Sequence, residues 1–237
     1  MIPYYNHILN KPKLQQVQQK PSFSVYISLF FMLKLKKMMI SEVSKMYQLW
    51  WVDVETTGLD PRKDEIIEIA LMRTDCDPSR RWLSPVRQKY VGLREPFCPI
   101  SVEASKINGL TLKQLTGKKL DNTLIESIIL EAHVFIAHNA PFDRSFLEMM
   151  FPDIRHKMWF CSMKDIEWKY WGFQSVGLQS LLRAHQIFPH RPHRAESDIL
   201  SLYQLLQEHN PHDKAYFWEM WDRNYHQFLK QKEKPPQ

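Results

Sequence analysis

The sequence predicts a mixed α/β domain that begins near Met46. Short apolar runs of strand length alternate with segments whose apolar residues recur at helical spacing, which is the pattern of strands interleaved with helices. Prolines separate several of these runs, where they suit the joints between elements. They are Pro61, Pro78, Pro85 and Pro96. A chain of 237 residues can bury a sizeable core, so one main domain with appendages is expected.

Five strands and seven helices are predicted within this domain. The strands lie at residues 47–54, 65–72, 88–93, 133–137 and 158–161. The helices lie at residues 101–107, 111–115, 122–132, 141–150, 162–170, 178–185 and 195–208. Pro141 suits the first turn of its helix, because an N–H group there would have no partner within the helix.

Residues 1–45 are predicted to be a basic extension that is disordered or loosely attached to the domain. Its lysines are Lys11, Lys13, Lys20, Lys34, Lys36 and Lys37, and residues 1–41 contain no acid and no arginine. Without these six lysines the chain has 26 basic and 26 acidic residues, so the net charge of +6 says nothing about the ligand of the domain. The apolar run at 25–33 is too short to span a bilayer, and a basic surface anchor is the alternative interpretation.

An aromatic segment follows the α/β domain. The domain is assigned to residues 46–210, and residues 211–237 are assigned to an aromatic helix and tail. The apolar side chains that recur at helical spacing are Phe217, Met220, Trp221, Tyr225 and Phe228. Such a stripe either packs onto the domain, which is the preferred interpretation, or docks a protein partner.

The cysteines indicate the compartment of the protein. Cys76, Cys98 and Cys161 are scattered and form no CxxC pair, so neither a disulfide framework nor a structural zinc site is expected. This usage favours a reducing, cytoplasmic compartment. No membrane-spanning segment is expected either.

Two acids stand inside the otherwise apolar first strand. Residues i and i+2 of a strand point to the same face, so Asp53 and Glu55 are expected to lie side by side. Two adjacent buried carboxylates repel each other, and a divalent cation between them removes that cost. The turn at Thr56 and Thr57 ends the strand and presents backbone N–H groups where a phosphate or terminal nucleotide could approach. An Asp-x-Glu pair at a strand end is common, so it does not identify a metal site by itself. Further ligands would have to come from elsewhere in the chain.

Three further residues supply those partners. Asp143 lies in the first turn of the helix after Pro141, where the helix dipole favours its ionised form. Asp198 lies in the helix that begins near residue 195, and His193 stands five positions before it. Each residue alone would be an ordinary surface or capping residue, whereas together they form a candidate metal and catalytic set.

The motifs around these residues resemble those of a known family. The first motif is VDVETTGL, the second AHNAPFDRSFL and the third HRAESD, with weaker marks at INGLT and GLQSLL. In this order and spacing they resemble the DEDDh, or DnaQ-like, 3′-to-5′ exonucleases, typified by the proofreading subunit of bacterial replicative polymerases. The resemblance covers about residues 47–208. Departures such as Ile199 in the third motif leave the acids intact but leave the subfamily open.

The resemblance implies a fold and a chemistry. The implied fold is ribonuclease H-like, with a mixed five-stranded sheet flanked by helices. The implied cofactor is a pair of Mg²⁺ ions, for which Mn²⁺ can substitute, and hard cations of this kind require oxygen ligands. The implied ligands are Asp53, Glu55, Asp143 and Asp198. His193 would act as the general base that takes a proton from the attacking water.

The resemblance also implies where the substrate binds. The terminal nucleotide would contact the backbone of Thr56 and Thr57 and the side chains of Leu59 and Asn139. The expected substrate is the 3′ end of single-stranded DNA, which would be hydrolysed to nucleoside 5′-monophosphates in proofreading or repair. The alternatives are trimming of RNA ends and a non-catalytic interaction module on the same scaffold. The sequence leaves the oligomeric state open.

Overall fold

The computed structural model describes residues 45–232. Almost all of the extension predicted at residues 1–45, and the last five residues of the tail, lie outside the described residues. Within the described residues, no helix is both long enough and apolar enough to cross a bilayer.

A six-stranded mixed sheet forms the centre of the domain. Its strands are β1 (Tyr47–Thr56), β2 (Ile66–Asp77), β3 (Trp82–Leu83), β4 (Gln88–Leu93), β5 (Val134–Ala137) and β6 (Met158–Cys161). β1 pairs antiparallel with β2 and parallel with β5, and β6 extends the sheet beyond β5. β3 and β4 both pair with the outer edge of β2. The five predicted strands are confirmed, and β3, with only two residues, was missed.

Eight α-helices surround the described sheet. They are α1 (Val102–Asn108), α2 (Leu112–Leu115), α3 (Asn122–Glu131), α4 (Ala140–Met150), α5 (Ser162–Asp165), α6 (Leu178–Ala184), α7 (Ala195–Leu205) and α8 (Tyr216–Lys232). The helix predicted at 162–170 is too long, since α5 ends at Asp165. The Ser162 carbonyl oxygen accepts a hydrogen bond from the Trp168 indole N–H at 2.7 Å. Trp168 therefore contacts α5 through its side chain and does not extend the helix.

The alternation of β1 divides the core into two layers. Leu49 and Trp51 point to the layer that also contains α6, α7 and α8, while Trp50, Val52 and Val54 point to the layer with α3 and α4. Because both faces are covered, β1 is continuously apolar from Leu49 to Val52. The two acids at its end therefore stand on the edge of the first layer.

The aromatic stripe of α8 packs into the first layer. Tyr216, Phe217, Met220, Trp221 and Phe228 are all buried there. The preferred interpretation of this stripe is therefore confirmed. A protein partner of α8 would have to bind a different face of the helix.

Trp221 should contribute strongly to stability. Its ring lies 5.7 Å from the Tyr47 ring and 5.5 Å from the Phe160 ring, measured between centroids. We expect Trp221→Ala to lower the free energy of unfolding by about 3–5 kcal/mol, as for other buried aromatic truncations. Urea denaturation followed by circular dichroism measures this. Tyr170→Ala, at a ring that is 74% exposed, is the control, and equal losses in the two variants would contradict the packing described for α8.

Candidate active site

The end of β1 carries the first two acids of the site. The strand runs to Thr56, so Asp53 and Glu55 both lie within it and point to the same face. Their neighbours Val52 and Val54 point into the opposite core layer and are buried. This packing fixes the strand, and with it the direction of both carboxylates.

Asp198 of α7 joins these two acids. Carboxylate oxygens of Asp53, Glu55 and Asp198 all lie within 4.8 Å of one another. Gln179 of α6 donates from its side-chain amide to Asp198 Oδ1 at 3.0 Å, which orients that carboxylate. Gln179 belongs to the GLQSLL motif, but its role could not be inferred from the sequence.

Asp143 borders this group of three without belonging to it. It lies in the first turn of α4, with only 2% of its surface exposed. Its Oδ1 accepts from the backbone N–H of Val54 at 3.1 Å, the residue between the two acids of β1. The structure thus brings all four predicted acids to one place, with three of them in mutual reach.

The site concentrates negative charge where water is scarce. Burial, followed by repulsion from Asp143 and Glu55, raises the pKa of Asp53 well above its usual value. Burial also raises the pKa of Glu55 to about 8, with repulsion from Asp198 and Glu68 adding to it. Burial raises the pKa of Asp198 to about 6, although the His193 imidazole and the Gln179 amide act in the opposite direction.

The donor set suits a hard divalent cation. Every side chain in the group of three offers a carboxylate oxygen, the ligand type that Mg²⁺ and Mn²⁺ prefer. A bound cation would also offset the repulsion that raises these pKa values. Asp53, Glu55 and Asp198 are therefore the residues that could hold a metal ion.

These raised pKa values predict how metal-free stability depends on pH. An acid with a higher pKa in the folded state stabilises the fold fully below its unfolded pKa of about 4, and that contribution disappears as the pH rises through the folded pKa. For Glu55 the folded value is about 8. We expect Mg²⁺ or Mn²⁺ to raise the melting temperature above its value in EDTA by more at about pH 8 than at about pH 5.

Thermal denaturation in EDTA and in excess metal, at both pH values, measures this difference. Asp53→Asn removes one charge from the group, so it should raise the melting temperature in EDTA at the higher pH and reduce the effect of metal. A metal effect that is equal at both pH values would contradict a site built from these carboxylates.

His193 lies on the exposed loop that leads into α7. Its backbone has a φ of 59°, a left-handed conformation that is uncommon for residues other than glycine. Its imidazole is close enough to the Asp198 carboxylate to lower the pKa of that acid. The predicted base therefore lies at the open side of the acidic group.

A buried ion pair that the sequence did not reveal lies beside the site. Glu55 pairs across the strands with Glu68 of β2, whose exposure is only 2%. Arg194 binds both carboxylate oxygens of Glu68, through Nε at 2.9 Å and Nη2 at 2.6 Å. The signal that could have found Glu68 is the one that found Asp53, namely an acid inside an apolar strand.

A cavity of about 240 Å³ adjoins the acidic group. Glu55, Thr56 and Leu59 line it from the end of β1, and Leu59 is 83% exposed. The opposite walls come from α1 and α4 and were not predicted. They are Ser101, Glu103, Ala104, Ile107, Asn108 and Phe142.

Thr57 and Asn139, both expected to contact the nucleotide, do not line this cavity. The Thr57 N–H donates to the Glu65 carbonyl oxygen at 2.9 Å, and its buried hydroxyl donates to Asp64 at 3.1 Å. The N–H and hydroxyl of Thr57 therefore close the loop after β1 instead of facing a ligand. Asn139 adopts a left-handed conformation immediately before α4.

The comparison with protein families identifies the family of the chain. The exonuclease family model, RNase_T, matches residues 50–206. The chain belongs to this exonuclease family. The match contains the three acids of the group, together with Asp143 and His193.

Two exonuclease-family relatives illustrate the range of proteins that contain such a domain. The chain is 31% identical over 160 residues to the PolC-type DNA polymerase III of Thermotoga maritima, covering 65% of this chain and 11% of the polymerase. It is 27% identical over 154 residues to the 3′-5′ exonuclease DinG of Bacillus subtilis, covering 62% of this chain and 16% of DinG. The chain thus spans a small part of the length of each relative.

A solved exonuclease structure shares the fold. E. coli exonuclease I in complex with a dT13 oligonucleotide superimposes with a TM-score of 0.56 at 16% identity, covering 78% of this chain and 43% of that chain. The predicted ribonuclease H-like fold, a mixed sheet flanked by helices, is confirmed.

Proposed function

We propose that the chain is a two-metal 3′-to-5′ exonuclease of the DEDDh type that releases nucleoside 5′-monophosphates from single-stranded DNA. The observation that carries this proposal is the convergence of Asp53, Glu55 and Asp198 within 4.8 Å, next to a cavity and beside His193. A binding module has no need for buried acids that repel one another. Membership of the exonuclease family supports the same conclusion.

Each residue of the site has a role in the proposed reaction. Asp53, Glu55 and Asp198 offer carboxylate oxygens to the metal ions, and Asp143 supports the site from α4. Bound divalent cations lower the pKa of the attacking water and neutralise charge at the scissile phosphate. His193 takes the proton from that water as the general base.

The adjoining cavity would bind the terminal nucleotide. Its walls are mainly apolar, with Ile107 and Phe142 among them, and suit the face of a base. The side chain of Asn108 already takes part in one hydrogen bond, since its Oδ1 accepts from the Leu110 N–H at 2.9 Å. A cavity that encloses the last nucleotide favours a free end over a continuing strand.

DNA is the favoured substrate because of the proteins that the chain is similar to. One is a DNA polymerase, and exonuclease I is seen with a DNA oligonucleotide. Since these proteins share only part of their length with the chain, the polarity and the sugar both require a direct test.

The test uses the full chain with single-stranded DNA and RNA of equal sequence and with Mg²⁺. On 5′-labelled strands, 3′-to-5′ degradation gives a ladder of shortened products, whereas the opposite polarity releases labelled mononucleotide at once. We expect a ladder on DNA that EDTA abolishes. Faster degradation of RNA would reassign the substrate, and strands left intact with Mg²⁺ and with Mn²⁺ would favour a non-catalytic module.

A further inference from the structure

The Glu68–Arg194 pair stands in an unusual position for an ion pair. Its carboxylate is buried on the central strand β2, directly across from Glu55, while its guanidinium comes from the loop that carries His193. Planar guanidinium and carboxylate groups joined by two hydrogen bonds fix both distance and orientation. The pair therefore ties a surface loop to a buried position of the sheet.

The same carboxylate also holds the start of α7. The Ala195 N–H donates to Glu68 Oε2 at 3.2 Å, so two consecutive residues after His193 are bound to one buried group. The Asp198 N–H donates to the Arg194 carbonyl oxygen at 3.0 Å, which closes the first turn of α7. These contacts directly follow His193, whose left-handed conformation persists only where its surroundings determine it.

We propose that the Glu68–Arg194 pair is a positioning device that holds the backbone of His193 so that its imidazole faces the acidic group. This inference rests on the proposed function, because it assigns the pair a role through the general base. Arg194 and Glu68 are positioning residues, and neither is required to touch the substrate. Loss of the pair should therefore slow the proton transfer and leave substrate binding nearly unchanged.

The test removes the pair without leaving either charge unpaired, by combining Glu68→Gln with Arg194→Gln. kcat and KM are measured on 5′-labelled single-stranded DNA, in the wild-type chain and in a chain that carries His193→Ala. In the wild-type background we expect kcat to fall roughly 10- to 100-fold, the range for groups that orient a reactive residue. KM should change by less than about threefold.

In the His193→Ala background the same double substitution should lower kcat by less than about twofold, because no imidazole remains to be positioned. If the double substitution lowers kcat by the same factor in both backgrounds, the inference is overturned. An unchanged kcat in the wild-type background would overturn it as well. If the double variant does not fold, Arg194→Lys replaces it. Lysine keeps the charge without the planar fork, and its smaller loss should likewise vanish in the His193→Ala background.

A neighbouring ion pair provides the matched control. Lys89 of β4 binds Glu196 of α7 at 2.6 Å, but both side chains are about two-fifths exposed. Lys89→Gln with Glu196→Gln should leave kcat unchanged. Asp53→Asn separates the two proposals, since retained hydrolysis there overturns the active site itself. If the Asp53→Asn chain is inactive and removal of the pair lowers kcat equally with and without His193, only the positioning role is overturned.

Discussion

Asp53→Asn is expected to abolish Mg²⁺-dependent hydrolysis of single-stranded DNA while the domain stays folded. The Asp53 carboxylate lies within 4.8 Å of those of Glu55 and Asp198, and burial, followed by repulsion from Asp143 and Glu55, raises its pKa. Asparagine keeps the shape of the side chain but removes the charge that attracts a divalent cation. Product release should fall to the level seen without enzyme, measured on labelled oligonucleotide at neutral pH.

Asp75→Asn is the matched control for this substitution. Asp75 lies on β2 opposite Gln48, five residues before Asp53 on β1, which corresponds to about 17 Å along a strand. Like Asp53 it is a partly buried aspartate of the sheet, but it is paired with Arg73 and lies outside the acidic group. Activity should survive in this variant. Comparable activity in both variants would place the hydrolytic site elsewhere.

His193→Ala is expected to lower kcat by roughly 10²- to 10⁴-fold, the usual contribution of a positioned general base. The imidazole acts on the proton of the attacking water and not on the bound nucleotide, so KM should change little. Initial rates at several concentrations of labelled single-stranded DNA measure both constants.

The matched control for His193 is His190→Ala. His190 lies on the same exposed loop, three residues earlier, and lines a different cavity. Its loss should leave kcat close to the wild-type value. Equal losses in the two variants, or an unchanged rate in His193→Ala at neutral pH, would remove His193 from the mechanism.

β1 and β5 could be predicted because both of their faces are buried and their apolar residues are therefore consecutive. β1 and β5 are apolar on both faces, so apolar runs bounded by polar residues located them. β3 could not be found in this way, since two residues give no period and Trp82 is partly exposed. The helix α5 ends where the backbone of Ile166 becomes extended, and the Trp168 indole then donates back to the Ser162 carbonyl oxygen.

The acids of the site could be predicted because each contradicts its local setting or occupies a motif. The partners that orient them could not, because those contacts span long stretches of the chain. Gln179 reaches Asp198 from another helix, and Arg194 reaches Glu68 across 126 positions. Thr57 shows the reverse case, since a turn residue expected to face a ligand is used within its own loop. Spacing along the chain carries no information about such contacts.

The most direct measurement is a crystal structure of the full chain soaked with Mn²⁺, using anomalous scattering to locate the ions. We expect two anomalous peaks about 3.5–4 Å apart, in contact with carboxylate oxygens of Asp53, Glu55 and Asp198. The Asp53→Asn crystal, treated identically, should lose them. Mn²⁺ bound only at other residues, or a group of carboxylates that stays empty at saturating Mn²⁺, would contradict this expectation.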